Sequence, residues 1–252
     1  MTDTNTTLQN EEDVQALLEL MKETKMVIKF KDYYDLICSV DAMEQKLGKA
    51  MIEIQDLKQM MGQPAEKNNH VKTAVEEAVK VMNENMNDAK GKLQMVKKYI
   101  VKNAAAVKEN FKQMGVVALD KIVDGLNIKK MLEDISKSIN RAVDKAEKTI
   151  NLIDAASKEL HEMGSHAKGI FRALAGKEQE RVVKENGRIA KGLQNPLNNI
   201  KNCLLNVNKK IDTALFRIEH LERNAAVDRG KIAQRRKVKV RNPIQASKNQ
   251  TR

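Results

Sequence analysis

Tryptophan is absent from this chain, and among its 252 residues only three are proline and two are cysteine. Aromatic residues make up just 3% of the sequence. Sheets and deep ligand pockets usually draw on aromatic and β-branched side chains, so their scarcity argues against both. Cys38 and Cys203 are far apart and have no CxxC pair, which predicts reduced thiols in a cytoplasmic protein.

Long apolar runs are also missing. No stretch approaches the ~20 consecutive apolar residues that a membrane span requires. The opening residues, MTDTNTTLQNEEDVQ, lack the basic start and the apolar segment of a signal peptide. The sequence therefore predicts a cytoplasmic protein without a transmembrane segment.

Catalytic motifs are lacking too. His161 and His166 are five residues apart, whereas a helical zinc-protease motif needs histidines at i and i+4. The Gly176–Lys177 pair is not followed by the Ser or Thr of a phosphate loop. We therefore expect no catalytic residues, no metal and no cofactor, and a protein that is not an enzyme.

What the sequence does contain is helical periodicity. Between residues 31 and 61, apolar residues recur at alternating spacings of four and three, which is the seam of a coiled coil. The same register runs from Val71 to Met114 at about 3.6 residues per step, then from Ile128 to Met163 and from Ile200 to Leu221. This pattern predicts an all-α fold, an elongated antiparallel helical bundle with coiled-coil character.

Breaks in the pattern suggest how the chain is divided. Residues 1–10 are predicted to be disordered, and 11–61 to form an N-terminal helical, coiled-coil segment. Gly62 and Pro64 mark a linker at 62–69, followed by a long-helix antiparallel bundle at 70–228. Within it, Gly125 and Asn127 predict a tight helical hairpin, and Asn195–Pro196 predicts the start of the last helix, ending near Val227.

The seam of segment 31–61 is a candidate surface for homodimerisation. A strict coiled-coil stripe is narrow, and one partner helix suffices to cover it. The segment could therefore pack on the bundle or on a second chain. The residues predicted for self-association are Leu36, Val40, Met43, Leu47, Ile54 and Leu57.

Charge is concentrated at the C-terminal end. The formal net charge is +12, from 46 basic and 34 acidic residues. Nine of the basic residues and none of the acidic ones lie in 229–252, which leaves 37 basic against 34 acidic residues in the first 228. The sequence therefore predicts a nearly neutral body and a basic, disordered tail at 229–252.

A second basic patch lies between residues 168 and 191, and with the tail it would form one cationic surface. The tail has no interleaved aromatics, so its pattern predicts phosphate contacts rather than base stacking. Anionic lipid, an acidic protein or plain solvation are the alternatives. The predicted nucleic-acid contacts are Arg172, Lys177, Arg181 and Arg188 in the patch, and Arg229, Lys231, Arg235, Arg236, Lys237, Lys239 and Arg241 in the tail.

Several stretches resemble a known family. They are VQALLELMKE and YYDLICSVDAMEQKL near the start, KQMGVVALDKIVDGLNIKKMLEDI at the hairpin, and SHAKGIFRALAGKE. Together they resemble an uncharacterised family, a domain of unknown function, of helical proteins from Gram-positive gut bacteria. The resemblance covers residues 11 to about 225 and leaves the basic tail outside. It implies a cytoplasmic protein often carried on mobile elements, and it supplies no catalytic residues.

These observations lead to one expected function and two alternatives. We expect a non-enzymatic helical scaffold or accessory protein, of a mobile element, whose basic tail makes weak, sequence-independent contact with nucleic acid. The first alternative is an amphipathic protein of anionic membrane surfaces. The second is a protein–protein interaction module with an incidental basic tail, and its protein partner is not identified by the sequence.

Overall fold

The computed structural model of the chain describes residues 7–61, 69–114, 118, 125–172 and 179–241, with side chains at 7–61, 71–114, 118, 127–159 and 192–227. Within these ranges the chain is almost wholly helical and contains no strand. The predicted all-α class is confirmed. After a short 3-10 turn at Leu8–Asn10, the helices are α1 Glu12–Glu23, α2 Val27–Met61, α3 Asn69–Met114, α4 Gly125–Arg172 and α5 Gln179–Arg241.

The predicted apolar stripes form the core. All eight stripe positions of α2 are buried, namely Leu36, Val40, Met43, Leu47, Ala50, Ile54, Leu57 and Met61. The stripe of α3 is buried from Val75 to Val107, while Met114 at its end is exposed. Because the buried side chains recur at the spacing read from the sequence, helical periodicity alone located most of the core.

The chain forms two compact units, each assembled from separate segments. Unit 1 comprises residues 1–41, 95–130 and 212–252, and unit 2 comprises 42–94 and 131–211. These units differ from the consecutive segments, 11–61 and 70–228, that the sequence suggested. Helices α2 to α5 each contribute to both units, since a stripe that is continuous in sequence can be buried by different neighbours along its length.

In unit 2, polar contacts join α3 to α4, α4 to α5 and α5 to α2. Lys145 of α4 donates to Glu77 of α3 at 3.2 Å, and Ser138 donates to Asp88 at 2.6 Å. Helix α5 joins α4 through polar contacts that include Gln194–Asp154, Lys201–Glu147 and Asn208–Asn140. It also lies against α2, where Asn199 bonds Glu53. An open cleft lined by Lys58, Val79 and neighbouring side chains separates α2 from α3. In each bonded pair of α3–α4 and α4–α5, residue numbers rise on one helix as they fall on the other, so neighbours are antiparallel, as predicted.

Unit 1 includes the N-terminal elements. Leu8, predicted to lie in a disordered start, is fully buried. Two backbone N–H groups at the start of the 3-10 turn, those of Leu8 and Gln9, donate to the Asp41 carboxylate at 2.9 and 3.3 Å. These groups would otherwise lack a partner, because a helical turn leaves its first donors unsatisfied. The prediction of disorder is therefore wrong for residues 7–10, while 1–6 lie outside the described residues.

Helix α5 departs most from the sequence-based expectation. Pro196 lies inside it instead of opening a new helix. An internal proline costs about 3 kcal/mol because it removes one hydrogen bond and crowds the preceding turn. Burial of Leu197, Ile200 and Leu204 immediately afterwards offsets that cost. The predicted linker falls mostly on residues 62–68, which lie outside the described residues. Of the predicted hairpin turn at 124–127, Gly125 and Asn127 already belong to α4, and residue 124 lies outside the described residues.

The hydroxyl group of Tyr33 is buried in the core of unit 1. The side chain is 2% exposed, and its hydroxyl has no hydrogen-bond partner among the described residues. Burial raises the pKa of this hydroxyl. Since an unsatisfied buried polar group is costly, we expect Tyr33→Phe to raise the free energy of unfolding by about 1 kcal/mol at neutral pH in chemical denaturation.

The same variant should change the alkaline response. A raised pKa in the folded state contributes stability below the unfolded-state pKa of about 10, and that contribution is lost as the pH rises further. The advantage of Tyr33→Phe should therefore widen above about pH 10. Tyr34→Phe is the matched control, because Tyr34 is exposed and its hydroxyl bonds to Cys38. A destabilised Tyr33→Phe protein would contradict the assignment.

Candidate functional site

The basic C-terminal region is helical over most of its length. Helix α5 continues without interruption to Arg241, although the sequence suggested an end near Val227 and a disordered tail. The reason is local: residues 229–241 contain no proline, and seven of the thirteen are Lys or Arg, which favour helices. Asn242 then precedes Pro243, and a residue before proline is disfavoured in helical conformation. Residues 242–252 lie outside the described residues.

Seven of the predicted nucleic-acid contacts lie on this helical extension. It spans about 20 Å at the usual rise per residue and contains no acidic residue. Their side chains lie outside those described, and only the helical backbone is placed. The seven are Arg229, Lys231, Arg235, Arg236, Lys237, Lys239 and Arg241.

The second basic patch is divided between two helices. Arg172 is the last residue of α4, and Arg181 and Arg188 lie near the start of α5. Lys177 lies outside the described residues, as do the side chains of the other three. The patch belongs to unit 2 and the tail to unit 1. That the patch and the tail form one cationic surface stays a prediction.

The residues predicted for self-association are buried within a single chain. Leu36, Val40, Met43, Leu47, Ile54 and Leu57 are each at most 1% exposed. A dimer formed through this seam would first have to expose it to water, at a cost that scales with its apolar area. The segment packs on the chain's own helices, which is one of the two arrangements that the sequence left open.

A charged cluster in unit 1 was not found from the sequence. Asp32 of α2 is 2% exposed and accepts hydrogen bonds from Arg217 Nη1 at 2.9 Å and from His220 Nδ1 at 2.6 Å, both on α5. The other guanidinium nitrogen of Arg217, Nη2, bonds Asp35 at 2.8 Å. One arginine thus joins two carboxylates on successive turns of α2. The partners are about 185 residues apart, so no local pattern indicated the cluster.

Beside this cluster is an exposed aromatic pair. The rings of Phe216 and His220 stack with centroids 6.1 Å apart and planes 8° from parallel. Phe216 is 55% exposed. It lies next to, and not within, the predicted stripe of α5 that includes Ile211, Leu215 and Ile218. An aromatic residue displaced from the stripe, four positions before a histidine, was the signal that could have found it.

Other polar contacts fix helix pairs in unit 1 without forming a recognisable reaction site. Lys129 donates to Glu219 at 2.8 Å and holds the pKa of that carboxyl below its usual range. Lys108 pairs with Asp13, which raises the pKa of the lysine. Cys38 and Cys203 are free thiols.

The described part of the chain contains neither a metal site nor a membrane span. No group of three His, Cys, Asp or Glu side chains there could hold a metal ion. The side chains of His161 and His166 lie outside that part. None of the described helices is both long and apolar enough to cross a membrane.

Comparison with known proteins identifies the family. The model of a family of unknown function, DUF6674, matches residues 10–252. The chain belongs to this family. No curated protein and no solved structure matches the chain significantly. The resemblance to an uncharacterised family is thus confirmed, and its extent is larger than expected, because the DUF6674 match includes the basic region 229–252 that the resemblance had left outside.

The Asp32 cluster yields a stability prediction. Replacing Asp32 with Ala removes two bonds to a buried carboxylate and leaves Arg217 with one partner, so we expect a loss of about 3 kcal/mol in the free energy of unfolding. Asp35→Ala, the matched control on the same helix, removes one partly exposed bond and should cost under about 1 kcal/mol. Chemical denaturation measures both. Equal losses of stability in the two variants would contradict the prediction that the buried carboxylate of Asp32 contributes more than the partly exposed one of Asp35.

Proposed function

We propose that the protein is a non-enzymatic helical scaffold whose C-terminal basic helix makes sequence-independent contact with the phosphates of nucleic acid. The observation that supports this proposal most directly is that the helical segment 229–241 contains seven basic residues and no acidic one. Contacts of Lys and Arg with phosphate release condensed counterions and need no particular base sequence. The absence of recognisable catalytic motifs in the sequence supports a scaffold.

Two further observations support the proposal. The family match includes residues 229–252, so the basic region lies within the matched part of the chain. A helix that is already formed also loses less conformational entropy on binding than a disordered segment would. Carriage on mobile elements of Gram-positive gut bacteria, which the resemblance implies, agrees with an accessory role beside DNA.

The test is binding to duplex DNA as a function of salt. With about five phosphate contacts, the logarithm of the binding constant should fall with the logarithm of salt concentration at a slope near −4.5. A variant with Arg235, Arg236, Lys237, Lys239 and Arg241 replaced by Gln should lose most of this slope and most of the affinity. Glutamine keeps a good helix propensity, so the backbone should be little affected.

A matched control separates the local contact from net charge. Five exposed lysines of the body, Lys90, Lys98, Lys102, Lys148 and Lys210, are replaced by Gln in the full chain. This variant has the same net charge as the tail variant and should bind DNA almost as wild type does. Equal losses in the two variants would contradict a role for the C-terminal helix.

A second part of the experiment tests the alternative that the basic helix binds an anionic membrane surface. Vesicles of phosphatidylcholine with and without phosphatidylserine replace DNA in the same titration. Anionic lipid attracts basic segments with about 1 kcal/mol per Lys or Arg near the surface. Retention on the anionic vesicles, without retention on DNA, would overturn the nucleic-acid proposal in favour of a membrane surface.

A further inference from the structure

The Phe216–His220 pair is an unusual feature for a solvent-facing helix surface. More than half of the Phe216 side chain is exposed, and exposure of an aromatic side chain forgoes the large gain from burying it. Neither ring belongs to the buried core of unit 1, which α5 supplies through Ala214, Ile218 and Leu221. The pair therefore calls for an explanation other than folding.

The local geometry gives the pair a flat and fixed form. The two side chains are neighbours because they are four residues apart on a helix, and their ring planes are 8° from parallel. His220 is held by its 2.6 Å bond to Asp32, and the Arg217 guanidinium lies 5.5 Å from the Phe216 ring centre. Arg217 is in turn fixed by Asp32 and Asp35. The rings thus require little ordering before a flat ligand stacks on them.

The pair lies on the same helix, and in the same unit, as the basic extension. Thirteen residues separate Phe216 from Arg229, which is about 20 Å along a helix axis. An extended single strand of a few nucleotides would span that distance. A base could then stack at Phe216 while the following phosphates contact the extension.

Three of the acidic residues near the pair have cationic partners, while Asp212, one helical turn before Phe216, is exposed. The carboxylates of Asp32 and Asp35 are paired with Arg217. Glu219 accepts from both Lys129 and Arg223, at 2.8 and 3.4 Å. Because these negative groups have cationic partners, the repulsion that a phosphate would meet here is reduced, and the affinity for phosphate comes from 229–241.

We propose that Phe216 and His220 form a base-stacking platform, so that the C-terminal site selects single-stranded over double-stranded nucleic acid. Bases of a duplex are stacked on one another and present no free face, whereas every unpaired base offers one. The inference rests on the proposed function and names the class of nucleic acid that the site prefers. It also revises the expectation of phosphate contact alone, which considered only the sequence of the tail.

The first experiment uses the absence of tryptophan. In a full-length Phe216→Trp protein the indole is the single tryptophan of the chain, because the natural sequence has none. Stacking of an unpaired base on the indole should quench its fluorescence when single-stranded oligonucleotide is added, and a duplex of equal length should quench it much less. Oligonucleotide that binds without changing the fluorescence would overturn the platform.

The second experiment separates stacking from apolar contact. Phe216→Leu keeps an apolar side chain but removes the aromatic face, and it should weaken single-strand binding by about fivefold or more. Its salt slope and its duplex affinity should stay as in wild type, since no phosphate contact is lost. Phe216→Tyr should retain wild-type affinity. Val227→Ala is the matched control, an exposed apolar residue on the same helix without an aromatic face.

The outcomes distinguish this inference from the proposed function. If the Gln variant of the extension loses both single-strand and duplex binding while Phe216→Leu changes nothing, the platform is wrong and the basic contact stands. If the Gln variant binds as wild type does, the proposed function itself fails. Because Phe216 is exposed, the melting temperatures of the Phe216 variants should match that of wild type. If Phe216→Leu lowers the melting temperature, Phe216→Ala gives a second test of binding. Unchanged single-strand binding by Phe216→Ala would also overturn the platform.

Discussion

Burial of narrow apolar stripes is the constraint on which this structure depends. Each of the long helices carries such a stripe, and a helix with so narrow an apolar face gains little stability in isolation. In unit 2, α4 lies antiparallel to both α3 and α5, and α5 also contacts α2. The seam of α2, which could in principle have joined two chains, is covered in this way within one chain.

Polar contacts at the edges of the stripes align the helices rather than hold them together. Pairs such as Lys145–Glu77 and Lys129–Glu219 are partly exposed, and such pairs contribute at most about 1 kcal/mol each. Asp32 and Asp41 are different because both are buried. Each accepts more than one hydrogen bond from a distant part of the chain, so each connects elements that the apolar stripes alone would not place in register.

The C-terminal part of α5 shows how a local rule sets the length of a helix. The basic residues of 229–241 would be a flexible tail if the helix ended with the buried stripe, near Ala225. They are helical because nothing before Asn242–Pro243 interrupts helix formation. The extension therefore presents its charges from a formed helix that continues directly from the segment bearing Phe216 and His220, within unit 1.

Periodicity in the sequence determined the all-α class, the stripe of α2 and nearly all of the core positions from Val75 to Val107, because burial on a helix follows its 3.6-residue repeat. The composition, counted along the chain, located the excess charge. Local signals failed at Pro196 and at the start of the chain, where tertiary burial of Leu197 and Leu8 outweighs the local preference. Only the tertiary structure decided which stripes cover one another, how the segments divide into two units, and that Arg217 meets Asp32. These depend on contacts between residues up to nearly two hundred positions apart, and a pattern with a period of a few residues carries no information about them.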